Sequence, residues 1–169
     1  MQGIAQHTPI VESQIWPDET ATARAAAVLA HHDVTRDALV TLHGDLGAGK
    51  TTLVRHLLRA LGWRERVRSP TYTLVETYTL TDRMVWHCDL YRLHHAHEAA
   101  DAGLGELLCS PGLKLIEWPE RAAGWLPQPD LHIDLSVLDT ERRAVTFRSG
   151  SSRGDALLVA LRARRPSAD

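Results

Sequence analysis

Asparagine is absent from this chain, and lysine nearly so: only Lys50 and Lys114 accompany 17 arginines. Without asparagine there is no N-K-x-D element of the kind guanine-specific proteins use to read their base, which disfavours a GTPase. Two cysteines, Cys88 and Cys109, are too few for a disulfide framework or a cysteine-based metal centre. No apolar run approaches the roughly 20 residues of a membrane span. The opening residues, MQGIAQHTPI, have neither a basic nor an apolar leader segment, so no signal peptide is expected. A net charge of −2 supplies no overall basic field to draw in nucleic acid, and no DNA partner is expected. A cytoplasmic protein without membrane association follows from these absences.

What is present is ordinary for a globular domain: 44% hydrophobic and 24% charged residues over 169 positions. That length expects one domain, residues 1–169, with an ordered core over about 8–164 and a fraying tail at 165–169. One stretch stands apart. Gly44-Asp45-Leu46-Gly47-Ala48-Gly49-Lys50-Thr51 fits the phosphate-binding P-loop pattern G-x-x-x-x-G-K-[ST]. Its glycines let successive backbone N–H groups converge on one anion. Lys50 supplies a point charge for β- and γ-phosphates, and the Thr51 hydroxyl suits Mg²⁺. The neighbourhood agrees. Ala38–His43 reads as a buried strand, Lys50–Leu61 as a helix, and Gly62 sits where a helix stop belongs. In a chain that otherwise uses arginine, a lysine has been kept at this position.

Elsewhere, residues 8–15 read as a strand broken at Trp16-Pro17-Asp18, with Asp18 capping an alanine-rich helix from Glu19 to His31. Residues 72–80 and 84–91 suggest a hairpin around Thr81-Asp82-Arg83. Residues 95–108 are weakly helical, interrupted by Gly103 and Gly105. Leu113–Trp118 is an apolar strand stopped by Pro119. Leu131–Leu138 and Ala144–Arg148 suggest a second hairpin, and Ser152-Arg153-Gly154-Asp155 resembles a capping box opening a helix to about Arg164. Helices mixed with hairpins predict an α/β fold: a single P-loop NTPase domain with a mixed parallel/antiparallel sheet flanked by helices.

A P-loop binds phosphate; hydrolysis also needs a carboxylate to hold Mg²⁺ or position water. Two apolar strands end in one, at Asp89 and at Glu117, and ligands of open α/β sheets sit outside the carboxyl ends of strands. Spacing does not say which acid meets the metal. Thr71, after Ser69-Pro70, fits either a switch residue meeting the γ-phosphate or the start of a strand. Trp118 fits either a recognition aromatic or the core. Cys88 reads as simply buried. His94, His95 and His97 read as a solvated face and not a metal site, because His95 and His97 would not face each other on a helix. Arg64, Arg66 and Arg68 read as a solvated basic loop.

Four strings in this order, GDLGAGKTTL, SPTYTLVETY, HCDLYRL and LIEWPER, resemble the TsaE (YjeE) family over about residues 10–160. These are bacterial P-loop ATPases of tRNA threonylcarbamoyladenosine biosynthesis. The resemblance implies ATP and Mg²⁺ as cofactors and slow hydrolysis unless the partners TsaB and TsaD engage. That pair transfers threonylcarbamoyl to the adenosine beside the anticodon of tRNAs reading ANN codons, so tRNA is reached only indirectly. It further implies that Asp45, Leu46, Gly47, Ala48, Gly49, Lys50 and Thr51 hold phosphates, with Thr52 beside them and Lys50 contributing to catalysis. Thr51 and Glu117 are implied as metal ligands, Asp89 as a catalytic or water-positioning acid, Ser69-Pro70-Thr71 as a switch-like loop, and Trp118 as an adjoining functional aromatic. Asp18, Glu19 and Thr20 fall in the segment beside the adenine. HHAHE stands where relatives often carry acidic residues. Two other readings compete: a small-molecule P-loop kinase, and an adaptor in which nucleotide only props up a docking surface.

Overall fold

A computed structural model describes residues 7–95 and 97–164. The first six residues, read above as lacking a leader, and the expected tail at 165–169 lie outside the described residues. Among the described residues seven strands form one mixed sheet: β1 (Val11–Trp16), β2 (Leu39–His43), β3 (Val75–Thr79), β4 (Met84–Asp89), β5 (Leu113–Glu117), β6 (Leu131–Val137) and β7 (Arg143–Ser149). Their order is β1-β7-β6-β2-β5-β4-β3. The four central strands, β6, β2, β5 and β4, run parallel; β3 flanks β4 antiparallel, and on the other side β7 is antiparallel to β6 and β1 antiparallel to β7. Among the described residues five α-helices accompany them: α1 (Glu19–His31), α2 (Lys50–Ala60), α3 (His97–Asp101), α4 (Leu104–Cys109) and α5 (Ser152–Ala163).

Periodicity explains how the layers assemble. In α1, Thr22, Ala25, Ala26, Leu29 and Ala30 are buried, and in α2 so are Leu53, Val54, Leu57 and Leu58. Both stripes follow the 3.6-residue period of one helix face. With Leu157, Leu158 and Leu161 of α5 they cover one face of the sheet, where Val40, Leu42, Val85, Leu115, Ile133 and Phe147 point. On the other face Leu39, Cys88 and Ile116 meet Leu104 and Leu107 of α4 in a smaller core. The alternation of strand side chains decides everything that follows. On β4 the face of Val85 is also the face of His87 and Asp89, and on β5 the face of Leu115 is that of Glu117. These acids therefore turn toward α2.

Several element ends differ from the sequence expectation, each for a local reason. Residues 70–74 form a turn, closed by the Leu74 N–H donating to the Pro70 carbonyl at 2.8 Å, so β3 begins at Val75 and Thr71 lies before it. Leu74 itself has φ of 65°. Strand β1 runs through Trp16, whose ring is buried, so Pro17 ends it. Of the two glycines expected to interrupt 95–108, only Gly103, at φ 74°, separates α3 from α4; Gly105 is within α4. The cap of α5 is Ser151 and not Ser152: its hydroxyl accepts the Gly154 N–H at 3.3 Å.

Other local expectations hold. Asp18 caps α1, accepting the Ala21 N–H at 3.0 Å. Gly62 has φ of 97° and the Trp63 N–H reaches the Leu58 carbonyl at 2.9 Å, the closing pattern of a Schellman motif. One carboxylate ties distant elements together. Asp130 accepts the Leu39 N–H at 2.8 Å at the start of β2 and the Ser151 hydroxyl at the start of α5.

Candidate active site

The loop after β2 is shaped by backbone geometry that side chains resist. Gly44, Gly47 and Gly49 have φ of 134°, 79° and 107°. At Gly44 a Cβ would lie 2.3 Å from the Leu135 carbonyl oxygen, so only glycine lets β2 leave the sheet this close to β6. Gly49 is the N-cap of α2, and Lys50 and Thr51 are its first two residues. Their N–H groups belong to the unsatisfied first turn, the positive end of the helix. From the far side, Arg143 Nε donates to the Ala48 carbonyl at 3.0 Å and holds the loop against β7.

Lys50 is buried, with Nζ donating to the Gly44 carbonyl and, at 2.9 Å, to the Asp45 carbonyl. The same Nζ lies 4.3 Å from the centroid of the Trp118 ring, within cation–π range. Burial pulls this ammonium below the usual lysine range, against the opposing attraction of Glu117, Asp89, Glu120 and Asp45. Trp118 reaches it because its φ is 56°, a left-handed conformation that costs about 1–3 kcal/mol for a residue other than glycine. Its ring also meets Tyr91 at 4.9 Å. Trp118 is thus half-buried in the site wall, between the two positions its sequence allowed.

The two strand-terminal acids sit side by side, Asp89 opposite Glu117 in the β4–β5 register. Glu117 Oε1 accepts the Thr51 hydroxyl at 2.9 Å, so the first helical turn and the end of β5 are hydrogen-bonded together. Asp89 Oδ1 accepts the Tyr91 N–H at 3.0 Å, and its Oδ2 accepts the Thr71 hydroxyl at a long 3.4 Å. Thr71 is itself 2.7 Å from the Ser69 hydroxyl. Burial raises the Asp89 carboxyl above the usual aspartate range, with the Glu117 charge adding to the effect and the Tyr91 N–H opposing it.

These groups line a cavity of about 390 Å³: Leu46, Gly47, Gly49, Lys50, Thr51 and Thr52 on one side, Ser69, Thr71, Asp89, Tyr91, Glu117 and Trp118 on the other. A second cavity of about 400 Å³ adjoins it through Gly49 and Thr52. Its wall includes Asp18, Glu19, Thr20, Ala48 and Arg143. Asp45 is at the loop's outer bend, where its carbonyl receives Lys50. Glu19 is at the rim of the second cavity, paired with His56 at 2.8 Å. Apart from Asp45, which lines neither, the site residues read from the sequence fall around two contiguous cavities.

Three contributors escape the sequence reading. His87 is fully buried, with Nε2 2.8 Å from Glu117 Oε1. Its period-2 spacing from Asp89 was the available signal. Tyr91 and Arg143 come from segments whose approach to the loop only the fold reveals. The basic loop of Arg64, Arg66 and Arg68 is exposed. The histidines behave differently from expectation in one respect. His95 lies just before α3, so its ring stacks on His97 at 5.4 Å, where a continuous helix would have turned them apart.

A glycine loop joining a buried parallel strand to a helix, with two acids at neighbouring strand ends, defines an α/β domain of the P-loop class. Comparison with known proteins narrows this. The sequence model of the family described as threonylcarbamoyl adenosine biosynthesis protein TsaE matches residues 16–145. The chain is 39% identical over 134 residues to the tRNA threonylcarbamoyladenosine biosynthesis protein TsaE of Haemophilus influenzae, spanning 77% of this chain and 85% of that one. The protein of the same name from Bacillus subtilis is 34% identical over 141 residues, spanning 83% and 86%. The crystal structure of Bacillus subtilis YdiB superposes with a TM-score of 0.74 at 27% identity, spanning 93% of this chain and 97% of that chain. The chain belongs to the TsaE family.

Proposed function

We propose that this protein is a Mg²⁺-dependent ATPase that supports threonylcarbamoylation of the adenosine beside the anticodon in tRNAs reading ANN codons. In this reading it acts on the TsaB–TsaD transferase complex and does not perform the transfer itself. The observation that carries the ATPase part is the bond from the Thr51 hydroxyl to Glu117 Oε1 at 2.9 Å. It commits the Thr51 proton to Glu117 and leaves the hydroxyl oxygen able to accept or ligate, beside a buried lysine and the N-terminus of α2. That donor set, hard oxygen ligands next to a cation and converging N–H groups, suits a divalent ion carried on a polyphosphate. Bound Mg²⁺ would neutralise phosphate charge and draw electrons from the terminal phosphoryl group.

The chain's own residues divide the work. Lys50 and the loop N–H groups bind and orient the phosphates. Thr51 and Glu117 would hold the metal. Asp89 keeps one oxygen on the Tyr91 N–H and presents the other toward Thr71 and the cavity, where it can orient a water molecule for in-line attack. The second cavity, walled by Asp18, Glu19 and Thr20, has room for the base. The test is Mg²⁺-dependent ATP hydrolysis by the protein alone and with its cognate TsaB–TsaD pair. Strong stimulation, lost in Lys50→Ala, is the expected result. A robust rate indifferent to the pair would reject the partner assignment, and phosphate appearing on a small acceptor would support the kinase reading instead.

A further inference from the structure

His87 is on β4, two residues before Asp89 and on the same face, directed toward α2. Its ring has no solvent exposure. Across the ladder it pairs with Leu115, an apolar residue on the same face, and packing alone would be satisfied by another such residue at position 87. Instead the ring places Nε2 2.8 Å from Glu117 Oε1, the same oxygen that accepts the Thr51 hydroxyl at 2.9 Å. Glu117 is itself only 2% exposed, and a carboxylate so far from water needs protein donors.

The opposite ring nitrogen decides the proton's place. Nδ1 of His87 is buried and has no hydrogen-bond partner among the described residues. A protonated Nδ1 would bury an N–H with nothing to accept it. A proton on Nε2 has Glu117 Oε1 to receive it at 2.8 Å. Two donors then arrive at Oε1, one from the first turn of α2 and one from β4, and together they fix the carboxylate plane. Glu117 Oε2 forms no hydrogen bond among the described residues, and Glu117 is one of the residues lining the cavity.

We infer that His87 is a positioning residue: its Nε2–H pins Glu117 Oε1, holding Oε2 toward the place of the metal ion and keeping the Thr51 hydroxyl in register with it. The inference rests on the Mg²⁺–ATP reading above. Such outer partners change metal affinity by about 10–100-fold when removed. His87 forms no hydrogen bond to Asp89 or to the glycine loop among the described residues, so metal-free nucleotide binding should change little when it is replaced.

The experiment compares wild type, His87→Leu and His87→Gln in the full chain. Affinity for a non-hydrolysable ATP analogue is measured by calorimetry in Mg²⁺ and in EDTA, with thermal unfolding recorded for each variant. In His87→Leu the gain in affinity that Mg²⁺ confers should fall by about tenfold or more, while affinity in EDTA stays within about twofold. His87→Gln, which restores a donor, should recover most of the gain. An unchanged Mg²⁺ gain in His87→Leu, or equal losses in Mg²⁺ and EDTA, overturns the inference. No Mg²⁺ gain in the wild type would instead overturn the underlying metal reading, and the control separates the two failures. A second measurement needs no substitution. Long-range ¹H–¹⁵N correlation spectra of the wild type should show a proton on His87 Nε2; an Nε2 without a proton overturns the inference.

Discussion

Replacing Asp89 with asparagine should make the protein more stable and less active, and the structure gives both signs. Asp89 is only 6% exposed, and burial raises its carboxyl above the usual aspartate range, with Glu117 as a like-charged neighbour. Between the ordinary aspartate value and this raised one, the folded protein keeps a proton that the unfolded chain has released. Stability therefore falls as pH rises through that window, and above it the ionised carboxylate is a standing cost. Asparagine cannot ionise. Its Oδ1 can still accept the Tyr91 N–H, and the Thr71 hydroxyl can accept from its amide, so the substitution removes charge without emptying the site. Single stabilising substitutions commonly yield about 0.5–2 kcal/mol. For a domain of this size each kcal/mol moves Tm by about 2–4 °C, so a rise of roughly 1–8 °C is expected at neutral pH. The advantage over wild type should shrink as pH falls through the window, as the wild-type carboxyl also becomes neutral. Hydrolysis should drop by about 100-fold or more, the scale of a lost proton-handling group, with ATP still bound. Calorimetric melts across pH and steady-state turnover check the two halves. A Tm that falls or does not move at neutral pH, or a difference indifferent to pH, refutes the burial argument; unchanged turnover moves the catalytic role away from Asp89.

Other substitutions probe separate parts of the site. Lys50→Ala removes the one side-chain cation that lines the main cavity among the described residues and should weaken ATP binding by at least about 100-fold, or 2.7 kcal/mol; wild-type affinity by calorimetry would sink the phosphate assignment. Glu117→Ala should weaken binding in Mg²⁺ more than in EDTA, and equal losses would argue against a metal role. Gly44→Ala puts a Cβ 2.3 Å from the Leu135 carbonyl at a φ of 134°, so unfolding free energy should fall by about 1–3 kcal/mol or more even without nucleotide. A melt superimposable on wild type would show that β2 and β6 can part at no cost.

How much of this was legible in the sequence depended on how local the cause was. The P-loop, its flanking strand and helix, the Asp18 cap and the Gly62 stop are each set by a handful of consecutive residues, and they lie where the pattern put them. The mixed sheet followed from alternating helices and hairpins. Asp89 and Glu117 were legible as strand-terminal acids, because the parallel ladder brings carboxyl ends together whatever the strand order. Thr71 was ambiguous because its place depends on the turn closed by Leu74, a non-glycine residue in left-handed backbone that no propensity announces. His87 stayed hidden for a different reason. On β4 it reads as a polar interruption, and only the register against β5 shows that it meets Glu117. Arg143 is 93 positions beyond Lys50, and nothing between them signals that β7 would reach the loop.

The bond network of Asp130 bears on how this protein can be cut. The segment that matches the family model ends at residue 145, and α5 begins at Ser152. A fragment trimmed to the matched boundaries would look complete at its phosphate loop. It would nonetheless lose the Ser151 hydroxyl from Asp130, strip Leu157, Leu158 and Leu161 from the sheet, and leave the carboxylate that anchors Leu39 half-satisfied. Leu39 opens the strand whose other end carries the loop. The recognisable sequence is therefore smaller than the unit that folds, and truncation outside the motif strings would be felt at the root of the nucleotide site.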